Sequence, residues 1–375
     1  MTCMAIANHS VQFKNTGQNF YEYDFDPHFQ QFASAGYDVS CVEEKADCSR
    51  VKAIFQDVQA SIKKCDVPIV SPCDESSELA LEYAWQYLKD DLITILPVPD
   101  RMFEINMATS PGFRYKKQKL RNKKEAFSSP LYKKLIVSIK HLPLTSVNTK
   151  DEYLTIEDLR RHKIRTVFGA ELDFLMKEKF FFEAQNKNLV ANSEHSWIKY
   201  GMSKNYGGFD RLIRKFEKFT HVTQSDISGW DRVAYLEPVY RLRKRGLHFP
   251  KEFDEMYEYV EFHTISPLIV LPDGHVVWRQ TGNNSGFNNT ASDNSILHLI
   301  IMFHLLIYAC KKNLNFVPSL EYILKEAFIA IYSDDTLGGL NFFSFGWKSV
   351  DDFKIDQAAV YSLYGMIVKP SSVLV

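Results

Sequence analysis

The sequence predicts a mixed α+β fold, and three observations carry that expectation. Apolar strand-like runs alternate with helical segments from about Phe219 onward, each bounded by turn residues. A long apolar segment from Thr290 to Cys310 reads as a buried helix. The chain has 375 residues, of which 45% are hydrophobic, enough to bury a sizeable core divided into two or three lobes. Low-complexity disorder and collagen-like repeats are excluded, and no internal repeat or long linker marks a boundary.

In chain order, Leu81, Ala84, Trp85 and Leu88 recur at helical spacing between Ser76 and about Lys89, behind the potential caps Asp74 and Ser76. The turn Thr109-Ser110-Pro111-Gly112 precedes a basic run in which Arg114, Lys116, Lys117, Lys119, Arg121, Lys123 and Lys124 occur without an acid. A second basic cluster, Arg160, Arg161, Lys163 and Arg165, leads into Thr166-Val167-Phe168. In a strand, Lys163 and Arg165 share one face. A strand over Phe219–Asp226 and a helix over Glu237–Arg245 follow. Next comes a hairpin of Leu268–Leu271 and Val276–Trp278 around Pro272-Asp273-Gly274. A second hairpin spans Phe328–Leu340, and a helix from Asp351 leads into Gly365–Lys369.

Charge and composition bound the partners. Lys and Arg total 45 against 46 Asp and Glu, so any site for nucleic acid is a local basic patch rather than a property of the whole chain. The six cysteines form no C-x-x-C pair, which points to free thiols in a reducing compartment rather than a zinc knuckle. The N-terminus lacks the pattern of a secretory signal. The apolar stretch Ile296–Cys310 carries two histidines and falls short of the roughly 20 residues of a membrane span.

The chemistry concentrates at two places. In the second hairpin, the apolar run Ala327–Tyr332 is interrupted by Ser333-Asp334-Asp335 and resumes at Thr336. Adjacent carboxylates at the tip of a buried hairpin repel each other unless a cation sits beside them. A second apolar strand ends at Asp226, with Asp231 five positions on. If those strands are neighbours, three carboxylates converge in the oxygen-rich set that suits Mg²⁺ or Mn²⁺. Two such ions about 4 Å apart stabilise the attacking and leaving oxygens of a phosphoryl displacement. Between the two places lies a Gly/Asn/Ser loop, Thr281–Asn289, feeding a helix on which Thr290 and Asn294 share a face. The loop's hydroxyl and amides suit a sugar and a template backbone; a plain connector with an N-cap is the alternative.

Asp226-x4-Asp231, then Gly282-x2-Ser285-Gly286-x3-Thr290-x3-Asn294, then Ser333-Asp334-Asp335 resemble, in order and spacing, motifs A, B and C of viral RNA-dependent RNA polymerases of the positive-strand type. Thr109-Ser110-Pro111-Gly112 resembles motif G, Lys163-x-Arg165 motif F, and Asp351–Lys369 motif D, so the resemblance runs from about Ala108 to Lys369. It implies a right-hand polymerase, with an antiparallel palm sheet flanked by helices plus fingers. Residues 1–107 form an N-terminal extension and fingers, 108–218 fingers, and 219–375 palm with a fingers insertion near 246–275. The chain stops six residues after Lys369, before any motif E, so the resemblance implies a core without a thumb.

The resemblance also implies roles. Asp226, Asp334 and Asp335 hold two Mg²⁺ ions, which Mn²⁺ can replace, with the Ile227 carbonyl completing a shell. Asp231, Ser285 and Asn294, supported by Thr290, sense the ribose 2′-hydroxyl. Lys163 and Arg165 neutralise the triphosphate, and Lys369 protonates pyrophosphate. Thr109, Ser110, Gly112 and Gly286 contact RNA. The implied partners are an RNA template, a primer or product strand, ribonucleoside triphosphates and other viral replication proteins. The implied location is host cytoplasm, in membrane-associated replication complexes. Motif C reads Ser-Asp-Asp where most positive-strand enzymes carry Gly-Asp-Asp. Tyr332-Ser333-Asp334-Asp335 also fits the reverse-transcriptase pattern, but those enzymes place a bulky aromatic where Asp231 stands. A metal-dependent nuclease has no need of the Ser285-Gly286 loop and Asn294, while an inactive palm serving only as a scaffold is the non-enzymatic alternative.

Overall fold

The computed structural model describes residues 2–6, 48–50, 62–65, 67–96, 105–149, 153–155, 165–271, 274–369 and 372–374. Lys163, Arg160, Arg161 and the turn residues Pro272-Asp273 lie outside them.

Six described helices have ten or more residues: α1 (Glu75–Leu92), α2 (Leu172–Ala191), α3 (Glu237–Gly246), α4 (Asp254–Ile265), α5 (Thr290–Ala309) and α6 (Val350–Ser362). In α1 the expected start is set by Asp74, whose carboxylate accepts from the Ser77 amide at 2.8 Å. Its buried face, Ala80, Leu81, Ala84, Leu88 and Leu92, lies against α5. Although α1 comes from the N-terminal hundred residues, it packs on the helix that supports the carboxylate hairpin.

α5 is buried nearly all round, which explains its uniformly apolar sequence. By length and composition the segment Thr290–Leu314 is apolar enough to cross a membrane, but its most apolar window is 94% buried inside the protein. The polar residues that interrupt it, Asn294, Ser295 and His298, hold the hairpin tip described below.

Two larger sheets flank this core. The first has five strands in the order β1 (Thr2–Ile6), β11 (His275–Trp278), β10 (Leu268–Val270), β4 (Leu144–Thr149) and β6 (Thr166–Gly169). The expected 268–278 hairpin is thereby inserted against strands from the 140s and 160s, β10 running parallel to β4 and β4 antiparallel to β6. The second sheet has the order β12 (Ala327–Tyr332), β13 (Asp335–Leu340), β7 (His221–Ser225) and β15 (Ser372–Leu374), antiparallel throughout. Its β12 edge is covered by residues 197–199: the Ile331 amide donates to the Trp197 carbonyl at 2.8 Å and the Lys199 amide to the Ile331 carbonyl at 2.7 Å. This isolated bridge satisfies the outer backbone groups of Ile331 next to the hairpin turn. Three two-stranded pairs complete the description: β2 (Cys48–Arg50) with β5 (Tyr153–Thr155), β3 (Thr94–Ile95) with β9 (Leu247–His248), and β8 (Ile227–Ser228) with β14 (Ile367–Val368).

Candidate active site

The two-residue turn of the β12–β13 hairpin is Ser333-Asp334, closed by the Tyr332–Asp335 pair. β7 pairs with β13 so that Ser225 faces Thr336, which brings Asp226, the next residue, to the same end of the sheet as Asp334 and Asp335. The three carboxylates the sequence singled out are therefore neighbours. Burial raises the Asp335 carboxyl above its ordinary value, and the negative charges of Asp334 and Asp226 add to that rise.

Lys369 reaches this cluster by strand pairing. β14 pairs with β8, Val368 facing Ile227, and the Lys369 amide then donates to the Asp226 carbonyl at 2.9 Å. Its ammonium donates to Asp226 Oδ2 at 2.7 Å, an ion pair open to solvent on both sides. Ile227, the residue after Asp226, is buried.

The turn is held from α5. Ser333 has φ +58°, a region where glycine is favoured and a β-carbon is strained. Its amide donates to Ser295 Oγ at 2.8 Å, its hydroxyl accepts from Asn294 Nδ2 at 3.0 Å, and its carbonyl accepts from His298 Nδ1 at 3.2 Å. The Ser333 carbonyl only accepts, so Nδ1 carries the proton and His298 Nε2 accepts from the Tyr361 hydroxyl of α6 at 2.6 Å. Burial pulls His298 down to about 3, so it stays neutral.

Asn294 also donates to Asp231 Oδ1 at 3.2 Å. Asp231 is exposed, its carboxylate facing Asn294. Desolvation raises its carboxyl, opposed by the Asn294 bond and by the charges of Arg279 and Arg165, while Asp334 pushes it further up. Arg165, exposed just before β6, is thus electrostatically linked to the Asp231 carboxylate.

The loop before α5 is packed rather than splayed. The Ser285 hydroxyl donates to the Thr166 carbonyl at 3.2 Å, facing β6 instead of Asp231. A β-carbon on Gly286 would lie 1.6 Å from the Phe168 carbonyl oxygen, so only glycine allows this approach. Thr290 Oγ1 contacts the Asn284 and Phe287 carbonyls at 2.6 and 3.1 Å, fixing the loop's exit. Thr109 and Ser110 are exposed more remotely, on the turn before the basic run, and Gly112 is buried beside Glu171.

Sequence reasoning passed over two residues here. Arg279 is buried, donates to Asn284 Oδ1 at 2.8 Å and to the Asp231 carbonyl, and lies 5.1 Å from the Phe168 ring centre. Asn283 donates its amide to the Asp231 carbonyl at 3.0 Å and its side chain to Asn294. An arginine directly after the apolar strand Val276–Trp278 is the signal that was available for the first; for Asn283 the signal was its place beside Gly282.

A different group of potential ligands, His141, Glu171 and Asp173, lies away from this site. Its acceptors are already occupied: Asp173 takes His141 Nε2 at 2.8 Å and the Tyr115 hydroxyl at 2.9 Å, and Glu171 takes the amides of Arg114 and Leu144. It reads as a polar anchor for α2.

Comparison with known proteins gives the family and the fold. The family model described as viral RNA-dependent RNA polymerase matches residues 95–350. The genome polyprotein of Beet mosaic virus is 26% identical over 249 residues, covering 62% of this chain and 8% of the polyprotein. That of Peanut mottle virus (strain M) is 30% identical over 162 residues, covering 41% of this chain and 5% of the polyprotein. The chain thus spans under a tenth of either of these curated relatives. Among solved structures, the Sicinivirus 3Dpol RNA dependent RNA polymerase superposes with a TM-score of 0.65 at 15% identity, over 85% of this chain and 67% of that one, a likeness of fold.

Proposed function

The chain belongs to the viral RNA-dependent RNA polymerases, and from that premise we propose that it carries the nucleotidyl-transfer centre of template-directed RNA synthesis, copying and transcribing a viral RNA genome. The observation that carries the reading is the convergence of Asp226, Asp334 and Asp335 at one end of an antiparallel sheet, with Asp231 and Asn294 beside them.

The donor set fits Mg²⁺, with Mn²⁺ as a substitute: three carboxylates and the Ile227 carbonyl are hard oxygen ligands, and the Asp335 carboxyl, raised by burial first and then by the charges of Asp334 and Asp226, is one that a divalent cation would favour in its ionised form. Two such ions supply activation of the attacking 3′-oxygen and stabilisation of the leaving pyrophosphate. The chain's own groups do the rest. Asp231 and Asn294 receive the ribose. Arg165, with Lys163, neutralises the triphosphate. Lys369, now paired with Asp226, releases it when the nucleotide arrives and gives its proton to the pyrophosphate. Thr109, Ser110, Gly112 and the Arg114–Lys124 run guide the RNA backbone, and Gly286 serves the RNA path by letting the loop before α5 lie against Phe168. RNA template, primer or product strand, ribonucleoside triphosphates and other viral replication proteins are the partners, in membrane-associated complexes of the host cytoplasm.

The test is single-nucleotide extension of a primed RNA template with Mg²⁺, comparing ribo- with deoxyribonucleotides, for this chain and Asp334→Ala. Ribonucleotide incorporation lost by at least 100-fold in the variant is expected. Preference for deoxyribonucleotides would point to reverse transcription instead and overturn the reading.

A further inference from the structure

Asn294 is useful to a ribose only if its amide points the right way, and the structure shows what sets that direction. An ionised Asp231 accepts and cannot donate, so the Asn294 group facing it at 3.2 Å must be the NH₂, which also serves Ser333 Oγ at 3.0 Å. The Asn294 carbonyl oxygen then faces Asn283 Nδ2 at 2.9 Å. Asn283 is in turn fixed by its second N–H, which donates to the Thr290 carbonyl at 3.2 Å, an acceptor that cannot be reversed. Asn283 and Asn294 are 2% and 1% exposed, so water does not compete for either bond.

We infer that Asn283 is a specificity-positioning residue: its side-chain amide, oriented by the Thr290 carbonyl, locks Asn294 in the one orientation that presents its N–H to Asp231 and hence to the ribose 2′-hydroxyl. The inference rests on the ribose-sensing reading of Asp231 and Asn294 given above and adds what enforces it. Asn283 donates through its one side-chain nitrogen to both the Thr290 carbonyl and the Asn294 oxygen, and Asn294 donates onward to the Asp231 carboxylate, so each member has one compatible orientation. The main chain of Asn283 is held separately, by its own N–H to the Asp231 carbonyl at 3.0 Å and by the neighbouring Gly282 N–H to the Ala234 carbonyl at 2.7 Å. Changing the side chain therefore leaves the loop in place and alters the amide relay alone.

Asn283→Asp is isosteric but can only accept. It repels the Thr290 carbonyl and draws the Asn294 NH₂ toward itself, turning the Asn294 oxygen against Asp231. Asn283→Ala removes the donor without adding charge, which separates misorientation from any effect of charge on folding.

The experiment is equilibrium binding of ATP, 2′-deoxyATP and 3′-deoxyATP in Mg²⁺ to this chain, the two Asn283 variants and Asn294→Ala, with thermal unfolding of each. The preference for ATP over 2′-deoxyATP is expected to fall about tenfold in Asn283→Asp and about threefold in Asn283→Ala, the worth of one misdirected or loosened hydrogen bond. The preference over 3′-deoxyATP should not move. A purely structural role would weaken all three nucleotides together and overturn the inference. If Asn294→Ala loses the 2′-preference while both Asn283 variants keep it, the inference fails and the ribose-sensing reading stands. If the unmodified chain or Asn294→Ala shows that the 2′-hydroxyl is not sensed through Asn294, the reading itself fails.

Discussion

Ser333 shows how a side chain at an awkward backbone position is retained. Its φ of +58° costs about 1 kcal/mol against glycine, and the hydroxyl offsets this by accepting from Asn294 at 3.0 Å, a bond worth about 1 kcal/mol. Ser333→Gly removes both effects and should leave stability within about 0.5 kcal/mol of the parent, with the turn still held through its amide and carbonyl. Ser333→Ala keeps the strain and loses the bond, so we expect it to be less stable by about 1 kcal/mol. Urea unfolding midpoints distinguish the two. A Ser333→Ala midpoint equal to the parent's would mean that the hydroxyl contributes nothing, and equal midpoints for the two variants would mean that the positive φ costs nothing. At this scale the sequence was most legible where chemistry is local: Asp226, Asp231, Asn294, Asp334 and Asp335 all stand out by type and spacing. Ser285 was less legible, because its hydroxyl is directed to the Thr166 carbonyl, a partner 119 positions away.

Between elements, α2, α3 and the start of α5 are clamped by buried polar contacts. Arg243, fully buried on α3, donates to Asp293 Oδ1 at 2.7 Å, Gln185 Oε1 at 3.1 Å, Asn186 Oδ1 at 3.1 Å and Ser292 Oγ at 2.9 Å. Glu178 of α2 accepts the Asn288 amide and side chain at 3.1 and 3.0 Å, while its Oε1 is buried without a partner. Burial pushes Glu178 up to about 8. The folded chain thus keeps a proton that the unfolded chain releases near its ordinary value of about 4.3. That stability is fully present below the unfolded value and is lost as pH rises through about 8. Burial also raises Glu171, to about 7, in the same direction. We expect Glu178→Gln to match the parent near pH 4, below the unfolded value, and to exceed it at pH 8.5 by on the order of a few kcal/mol, measured by urea unfolding at the two pH values. A variant no more stable at pH 8.5 would show that Glu178 ionises freely. None of this clamp was legible in advance. The periodicity of α5 announces a buried helix, but which of its few polar residues meet Arg243 depends on how three segments pack.

Across the whole molecule, the mixed fold, the long buried helix, both hairpins and the helix at 75–92 follow from periodicity and turn residues, with ends displaced by a few residues. The order of the five-stranded sheet does not follow, because β10 pairs in parallel with β4 across more than a hundred residues, and local patterning carries no record of such a partner. The motif order was legible and the assembly that makes it a site was not: only the β7–β13 register and the β8–β14 pairing bring Asp226, Asp334, Asp335 and Lys369 together. The proposed chemistry requires these carboxylates to take up divalent ions as a unit. The most direct measurement is Mn²⁺ binding followed by electron paramagnetic resonance, with and without ATP, on this chain, on Asp334→Ala and on Asp351→Ala, whose carboxylate lies on α6. Nucleotide-dependent Mn²⁺ binding that is weakened at least tenfold by Asp334→Ala and unchanged by Asp351→Ala is the expected result. Equal Mn²⁺ binding by the parent and Asp334→Ala would contradict the metal centre and the function built on it.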